Sequence, residues 1–235
     1  LGCTAVAVLP EQMSQERFEW LKQIGADVIA TPGCESNVKE IYDKCKELKR
    51  DPRNIIFNQF DEFGNPLWHY NVTGPAVEEV VLSLEGARLA AFVSSTGSAG
   101  TIAAGDYLKL RFPHMKIVAS EALQCPTLLM SGFGGHRIEG IGDKHVPWVH
   151  NVRNTDLVVA VDDEQCMSLL RLFNEDEGVR FLAGAGLKPD FLQQLPLVGI
   201  SSICNLVAAI KTARYYELDD RDLLFTPLTD SMSLY

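Results

Sequence analysis

The chain has 235 residues, with 21 Lys+Arg against 31 Asp+Glu and a formal net charge of −10. Hydrophobic residues at 46% and charged residues at 22% fit a globular chain and exclude a disordered one; the length suffices for one large domain or two small ones around a real core. The negative balance repels phosphate backbones and argues against nucleic acid as a partner, and no apolar stretch is long enough to span a bilayer, so no membrane partner is expected.

Residues 3–9 (CTAVAVL) form an apolar run closed by Pro10, the pattern of a strand buried on both faces. Only two residues precede it, there is no initiator Met, and the far end (TDSMSLY) stops just after another strand-like run. The expectation is a piece of a longer chain, cut at both ends; flexible ends lying outside the sequence are the alternative. A helix follows from Ser14, with Met13 and Phe18 at staple positions and Phe18, Leu21 and Ile24 on one face, ended by Gly25. Residues 27–31 read as a strand. A second helix starts near Ser36, carrying Val38, Ile41, Tyr42, Cys45 and Leu48 at helical spacing. Strand, helix, strand, helix with short links is the signature of a parallel sheet.

Residues 54–71 (NIIFNQFDEFGNPLWHYN) break the alternation with a turn signal at Gly64-Asn65-Pro66, and read as a crossover between two lobes. Thr73 then caps a helix with Val77, Val80, Val81 and Leu84 on one face. Residues 89–94 form a buried strand, 101–112 a helix and 116–119 a strand. A Gly-rich loop covers 131–147. A strand at 157–161 leads into DDEQCMSLLRLF from Asp162, a helix whose acidic first turn suits its dipole. Residues 201–215 form a helix with Ile203, Leu206, Val207 and Ile210 inward, and 223–228 a last strand. The fold class is α/β: two lobes of mainly parallel sheet with flanking helices. Residues 1–71 are expected to form part of a smaller N-terminal lobe with the crossover, and 72–235 a larger ligand-binding lobe.

The six cysteines include no CxxC pair and have no histidines at ligand spacing, so neither a metal site nor a disulfide framework is expected. They read as small buried hydrophobes in a reducing compartment, the cytoplasm. No basic-then-apolar leader is visible.

The most informative segment is AFVSSTGSAGTIAAG at 91–105. A buried strand runs into glycines and hydroxyls, and then a helix begins. Gly97 and Gly100 let the backbone turn tightly. Ser95, Thr96, Ser98 and Thr101 supply hydroxyls, and the first helical turn supplies unpaired N–H groups. Together they suit a phosphate. Neither a Walker lysine nor GxGxxG is present, which disfavours a nucleoside triphosphate. Taken alone, an ordinary tight βα turn explains the segment better. VGISSICN at 198–205 leads another helix, and for an isolated pair such as Ser201-Ser202 N-capping is the stronger reading. HRIEGIGDKHVP at 136–147 holds two histidines able to titrate near neutrality, and Gly140 and Gly142 let that loop pass close to something. The pairs Asp162-Asp163 and Asp219-Asp220 read as solvated helix starts and loops.

The order of these motifs resembles the pyridoxal-phosphate-dependent fold-type-II enzymes, the cysteine synthase and tryptophan synthase β group, and cysteine-synthase-like proteins most of all. LPEQMSQERFEWLKQIGADVIATPG is similar to the family's Pro-Glu, Met-Ser, Gly-Ala and Thr-Pro-Gly stretch. STGSAGTIAAG looks like its phosphate loop, HRIEGIGDKHVP like its His-x-Ile-x-Gly-Ile-Gly segment, and VGISSICN like its Gly-Ile-Ser-Ser segment. The four fall in the family's order and cover nearly all of the chain.

The resemblance implies pyridoxal 5′-phosphate as cofactor, held at its phosphate by Thr96, Gly97, Ser98, Gly100 and Thr101. Ser98-Ala99 makes this loop longer than the usual Gly-Thr-Gly-Gly-Thr. Ser201 would face the pyridine nitrogen, with Ser202 as the other candidate, and Gly140 and Gly142 would line the substrate entrance. Ile203 stands where the family has Gly, implying a narrower pocket. The family's Schiff-base Lys and substrate-gripping Ser/Thr-Gly-Asn loop precede the segment matching residue 1, so no catalytic residue is assigned. Lys22, Lys39, Lys109, Lys144 and Lys211 read as helix surface or loop. The implied activity is β-elimination or β-replacement on an activated serine-type amino acid, cysteine synthesis first, by a homodimer. These residues alone would not complete it, because the Lys serves as both anchor and base. Two other readings stand beside it. One is a non-catalytic module binding a phosphate metabolite or partner; the other is a Rossmann-type nucleotide domain, with Glu121 placed to hold a ribose.

Overall fold

The computed structural model describes residues 2–235. Strand β1 (Val6–Pro10), helix α1 (Gln15–Gln23), strand β2 (Asp27–Thr31) and helix α2 (Val38–Leu48) form the first unit. β1 and β2 pair in parallel, Val6 opposite Asp27 through Pro10 opposite Thr31. The expectation of a strand buried on both faces is corrected. β1 has β2 as its only strand partner among the described residues, and Val6 remains exposed. Gly25 ends α1 with φ +82°, a left-handed value suited to glycine. Ser14 does not cap α1 with its side chain. Its N–H and hydroxyl donate instead to the Glu139 carboxylate, 3.1 and 3.0 Å away.

The supposed crossover turn is a second correction. Helix α3 (Gly64–Trp68) passes through a π-helical turn (His69–Thr73) into α4 (Gly74–Ser83). Pro66 is tolerated because the first turn of a helix needs no N–H from it. Thr73 has helical angles and caps nothing. Gly74 marks a close approach: a Cβ there would lie 2.7 Å from the Tyr107 ring.

Strand β3 (Arg88–Ser95), helix α5 (Ala103–Arg111), strand β4 (Lys116–Ala122) and short helix α6 (Thr127–Met130) come next. Strand β5 (Leu157–Val161) and helices α7 (Asp163–Asn174), α8 (Asp176–Gly184), α9 (Pro189–Leu192) and α10 (Ile200–Tyr215) follow, and β6 (Asp222–Phe225) closes the second sheet. Its order is β5-β4-β3-β6, all parallel. Along β3, Ala91 and Val93 face one core with Val161, Ile203 and Cys204, while Phe92 faces another with Leu108, Met115 and Ile117. Both faces are therefore covered, which explains the unbroken apolar runs of these strands. Asp162 caps α7 as its sequence predicts, accepting from the Glu164 amide at 2.8 Å. Helices α6, α8 and α9 escape the sequence reading, and Ile210 is exposed rather than inward. No single helix among the described residues is long and apolar enough to cross a membrane.

Candidate functional site

The carboxyl ends of β3 and β4 and the start of α5 converge on residues 96–102, where ligands sit in open parallel sheets. The successive amides from Gly97 to Ile102 have no hydrogen-bond partner among the described residues. Ala99 sits in the left-handed region at φ +59° and turns this run into a concave nest of donors. That conformation costs an alanine about 1–2 kcal/mol. The side chain is nearly fully buried in the core of Phe92 and Ile102, which holds it there. Ser94 and Thr101 hydroxyls meet at 2.9 Å and tie the strand end to the helix start.

A cavity of about 230 Å³ opens in front of this nest. Of the residues singled out in the sequence, Ser95, Gly97, Ser98, Thr101, Gly140 and Ser201 line it. The others lie behind it. The N–H and hydroxyl of Thr96 both donate to the Ser120 carbonyl, at 2.8 and 3.2 Å, so Thr96 braces the loop from β4. Gly100 is covered by Asn65. The Gly142 amide donates to the Thr96 carbonyl at 2.9 Å, fastening the two loops together. Ser202 is fully buried and gives its hydroxyl to Asp230, so the two serines are separated by geometry. Ile203 does not narrow the cavity; it is buried in the core beneath it.

Sequence reasoning missed Gln59, Asn65, His69, Asn205 and Thr229, which complete the lining together with Ala99 and Ile141. The first three were hidden by reading their segment as irregular. Asn205 accepts from the Ser95 amide at 2.7 Å and donates to the Pro227 carbonyl at 2.8 Å, joining β3 to the chain end. His69 meets the Thr73 hydroxyl at 3.0 Å through Nδ1, one helical turn on, and burial lowers its pKa. Thr229 lies 3.3 Å from Ser201, hydroxyl to hydroxyl.

Beneath the Gly140 rim, Glu35 accepts from the Gly140 amide at 2.9 Å, and its other oxygen is sealed from solvent with no hydrogen bond among the described residues. Burial pushes this carboxyl from 4.5 up to about 7, against the opposing pull of the Gly140 amide and Arg17. The folded protein thus holds the proton more tightly than the unfolded chain. The stability this provides is complete below the ordinary value and is lost as pH rises through about 7. Glu35→Gln keeps an acceptor for Gly140 and removes the titration. It is expected to match the parent near pH 4.5 and to exceed it by about 2–3 kcal/mol at about pH 8. Urea unfolding at the two pH values checks this, and a pH-independent difference would refute it.

The nucleotide reading fails at Glu121. Both its oxygens are occupied by the Leu128 and Leu129 amides, at 2.8 and 2.9 Å, so it caps α6 and is not free for a ribose. What the cavity offers is amides, hydroxyls, carboxamides and one imidazole, with no lysine or arginine in its lining. That donor set fits a phosphate ester on a polar aromatic body. No lysine lines it; Lys144 pairs with Glu40 at 3.6 Å, Lys109 with Asp156 at 2.5 Å, and Lys211 donates to the Ala160 carbonyl at 2.8 Å. No group of ligands for a metal ion occurs among the described residues.

The profile of a family described as pyridoxal-phosphate dependent enzyme matches residues 1–188. A cysteine synthase of Staphylococcus aureus is 33% identical over 91% of this chain and 62% of its own length. Cysteine synthase B of Campylobacter jejuni is 31% identical over 100% of this chain and 71% of its own. The crystal structure of an O-acetylserine dependent cystathionine β-synthase from Helicobacter pylori superposes with a TM-score of 0.78 at 29% identity, covering 98% of this chain and 68% of that one. The chain therefore spans 62% of the first of these relatives.

Proposed function

Because the chain belongs to the family of pyridoxal-phosphate-dependent enzymes, we propose that it carries the phosphate-holding part of a site for β-elimination or β-replacement on an activated serine-type amino acid. Cysteine synthesis is the first candidate, and O-acetylserine, after which the Helicobacter relative is named, is the substrate to try. The observation that carries the reading is the run of amides from Gly97 to Ile102, unpartnered among the described residues, facing a cavity lined by no lysine or arginine. Pyridoxal phosphate, when bound, supplies an electron sink that weakens bonds at the α-carbon of an amino acid.

The chain's own residues hold and orient. The nest amides and the Ser98 and Thr101 hydroxyls take the phosphate, with Gly97 and Gly100 leaving the backbone bare. Thr96 and Gly142 fix the nest to β4 and to the loop opposite. Ser201 would serve the ring nitrogen, with Thr229 beside it; a neutral hydroxyl there would leave that nitrogen largely unprotonated and moderate the sink. Gly140 keeps the entrance narrow but unobstructed. The amine that anchors such a cofactor is not among the lining residues. The second reading is a module that binds the cofactor or a related phosphate ester without turnover. A homodimer in the cytoplasm, with residues 1–71 in a smaller lobe and 72–235 in a larger one, belongs to the same proposal.

The test is titration with pyridoxal 5′-phosphate, followed by its absorbance and the quenching of tryptophan fluorescence. Ser201→Ala is expected to weaken binding about fivefold, the worth of one hydrogen bond of about 1 kcal/mol. Ser202→Ala should lower thermal stability instead. No saturable binding by the parent protein would sink the proposal. Binding without conversion of O-acetylserine and sulfide would select the module.

A further inference from the structure

Asn65 stands at the start of α3 and presses on the nest from outside β3 and β4. Its Nδ2 donates to the Gln59 carbonyl at 2.9 Å and to the Ser98 hydroxyl at 3.1 Å. A carbonyl only accepts, so the first bond fixes which end of the amide is which. Oδ1 then faces Gly100, and a Cβ at that position would lie 2.0 Å from it. Both amide hydrogens are used. Ser98 is left with one lone pair occupied and its O–H free to donate into the cavity. The same segment carries Ser98-Ala99, the extra length relative to the usual family loop, and bends at Ala99.

Resting on the phosphate reading of this loop, we propose that Asn65 is a positioning residue that clasps the lengthened loop, so that its amides and the Ser98 hydroxyl converge on a phosphate ester. Nothing in this requires Asn65 to touch the ligand. It orients Ser98 as a donor, and it fills the space that only glycine at position 100 leaves open. A general structural role would lower affinity for any ligand of the cavity; a clasp on the nest acts on the phosphate alone.

The experiment compares pyridoxal 5′-phosphate with pyridoxal, which lacks the phosphate, in equilibrium binding to the protein and four variants. Asn65→Asp replaces both donors with a carboxylate next to the nest. It should weaken pyridoxal 5′-phosphate about tenfold or more and pyridoxal less than about twofold. Gly100→Ala should by itself weaken the phosphate ligand strongly. Asn65→Ala should weaken it moderately. The double variant Asn65→Ala/Gly100→Ala should bind it more tightly than Gly100→Ala alone, because the smaller side chain admits the new methyl. Equal losses for the two ligands in Asn65→Asp, or a double variant whose loss is the product of the single losses, overturn the clasp. If the parent protein binds pyridoxal 5′-phosphate no better than pyridoxal, the phosphate reading itself fails and the clasp with it.

Discussion

Asp230→Ala is expected to cost about 3 kcal/mol of stability and to weaken pyridoxal-phosphate binding about tenfold. The reason is how many donors converge on one carboxylate. Oδ2 accepts from the Ser201 amide at 2.9 Å and the Tyr235 hydroxyl at 2.8 Å. Oδ1 accepts from the Ser202 amide at 2.9 Å and the Ser202 hydroxyl at 2.5 Å. The first amides of α10 have no partner within their own helix, and no side chain of α10 caps them. Asp230 supplies the cap from 28 residues away in sequence. A carboxylate also suits the positive end of the helix dipole, and these hydrogen bonds hold its pKa below the usual value despite burial.

Removing the carboxylate leaves the buried donors of Ser201 and Ser202 unpaired, at about 1–3 kcal/mol for each one that water does not reach. It also frees the wall formed by Ser201 and Thr229, the residue next to Asp230, which is how a residue outside the cavity affects binding. Tyr235 extends the link, because its hydroxyl also accepts from Arg17 Nη2 at 2.6 Å. Asp230→Asn retains one acceptor oxygen and should lose about half as much. Urea unfolding together with cofactor titration reads both effects. A loss under about 1 kcal/mol in Asp230→Ala would show that water replaces the carboxylate and that the hub carries little.

The parts of this arrangement visible in the sequence are those governed by local rules. Alternating apolar runs and amphipathic stretches give the parallel sheets, because β3, β4 and β5 are covered on both faces and their helices on one. The loop at 96–102 is legible because glycines and hydroxyls follow a strand. Where the reading goes astray, a contact distant in sequence reverses a local signal. Gly64-Asn65-Pro66 looks like a break and Thr73 like a cap, yet the first lies in the opening turn of a helix and Thr73 lies within the helical run that continues through Gly74. Once that segment is wound, Asn65 and His69 come onto one face, which no reading of it as a loop could reveal. Ser201 and Ser202 are equivalent on paper; only the return of the chain at Asp230 decides which hydroxyl is consumed. Ile203 illustrates the converse, a substitution within a motif that points away from the site into the core.

Gly142→Ala is expected to cost about 3 kcal/mol of stability and to weaken pyridoxal-phosphate binding more than about tenfold. Two separate penalties combine. Gly142 has φ +93°, a conformation that side chains rarely adopt. A Cβ there would also lie 2.3 Å from His136 Nε2 and 3.0 Å from its Cε1. The imidazole cannot swing aside into water, since both ring nitrogens are sealed from solvent, and burial already lowers its pKa. The backbone must therefore yield. The Gly142 amide is bonded to the Thr96 carbonyl, and a Cβ on Gly97 would stand 3.5 Å from that same amide. A displacement at 142 consequently reaches the first residues of the nest. Gly135→Ala is the matched control in the same loop. It has no left-handed angle and nothing within 4 Å of the added methyl, so it should change neither stability nor binding. Relief in Gly142→Ala/His136→Ala relative to Gly142→Ala would isolate the steric part, leaving the backbone conformation as the remainder. If Gly142→Ala and Gly135→Ala behaved alike, the two loops would not be fastened to each other at this point.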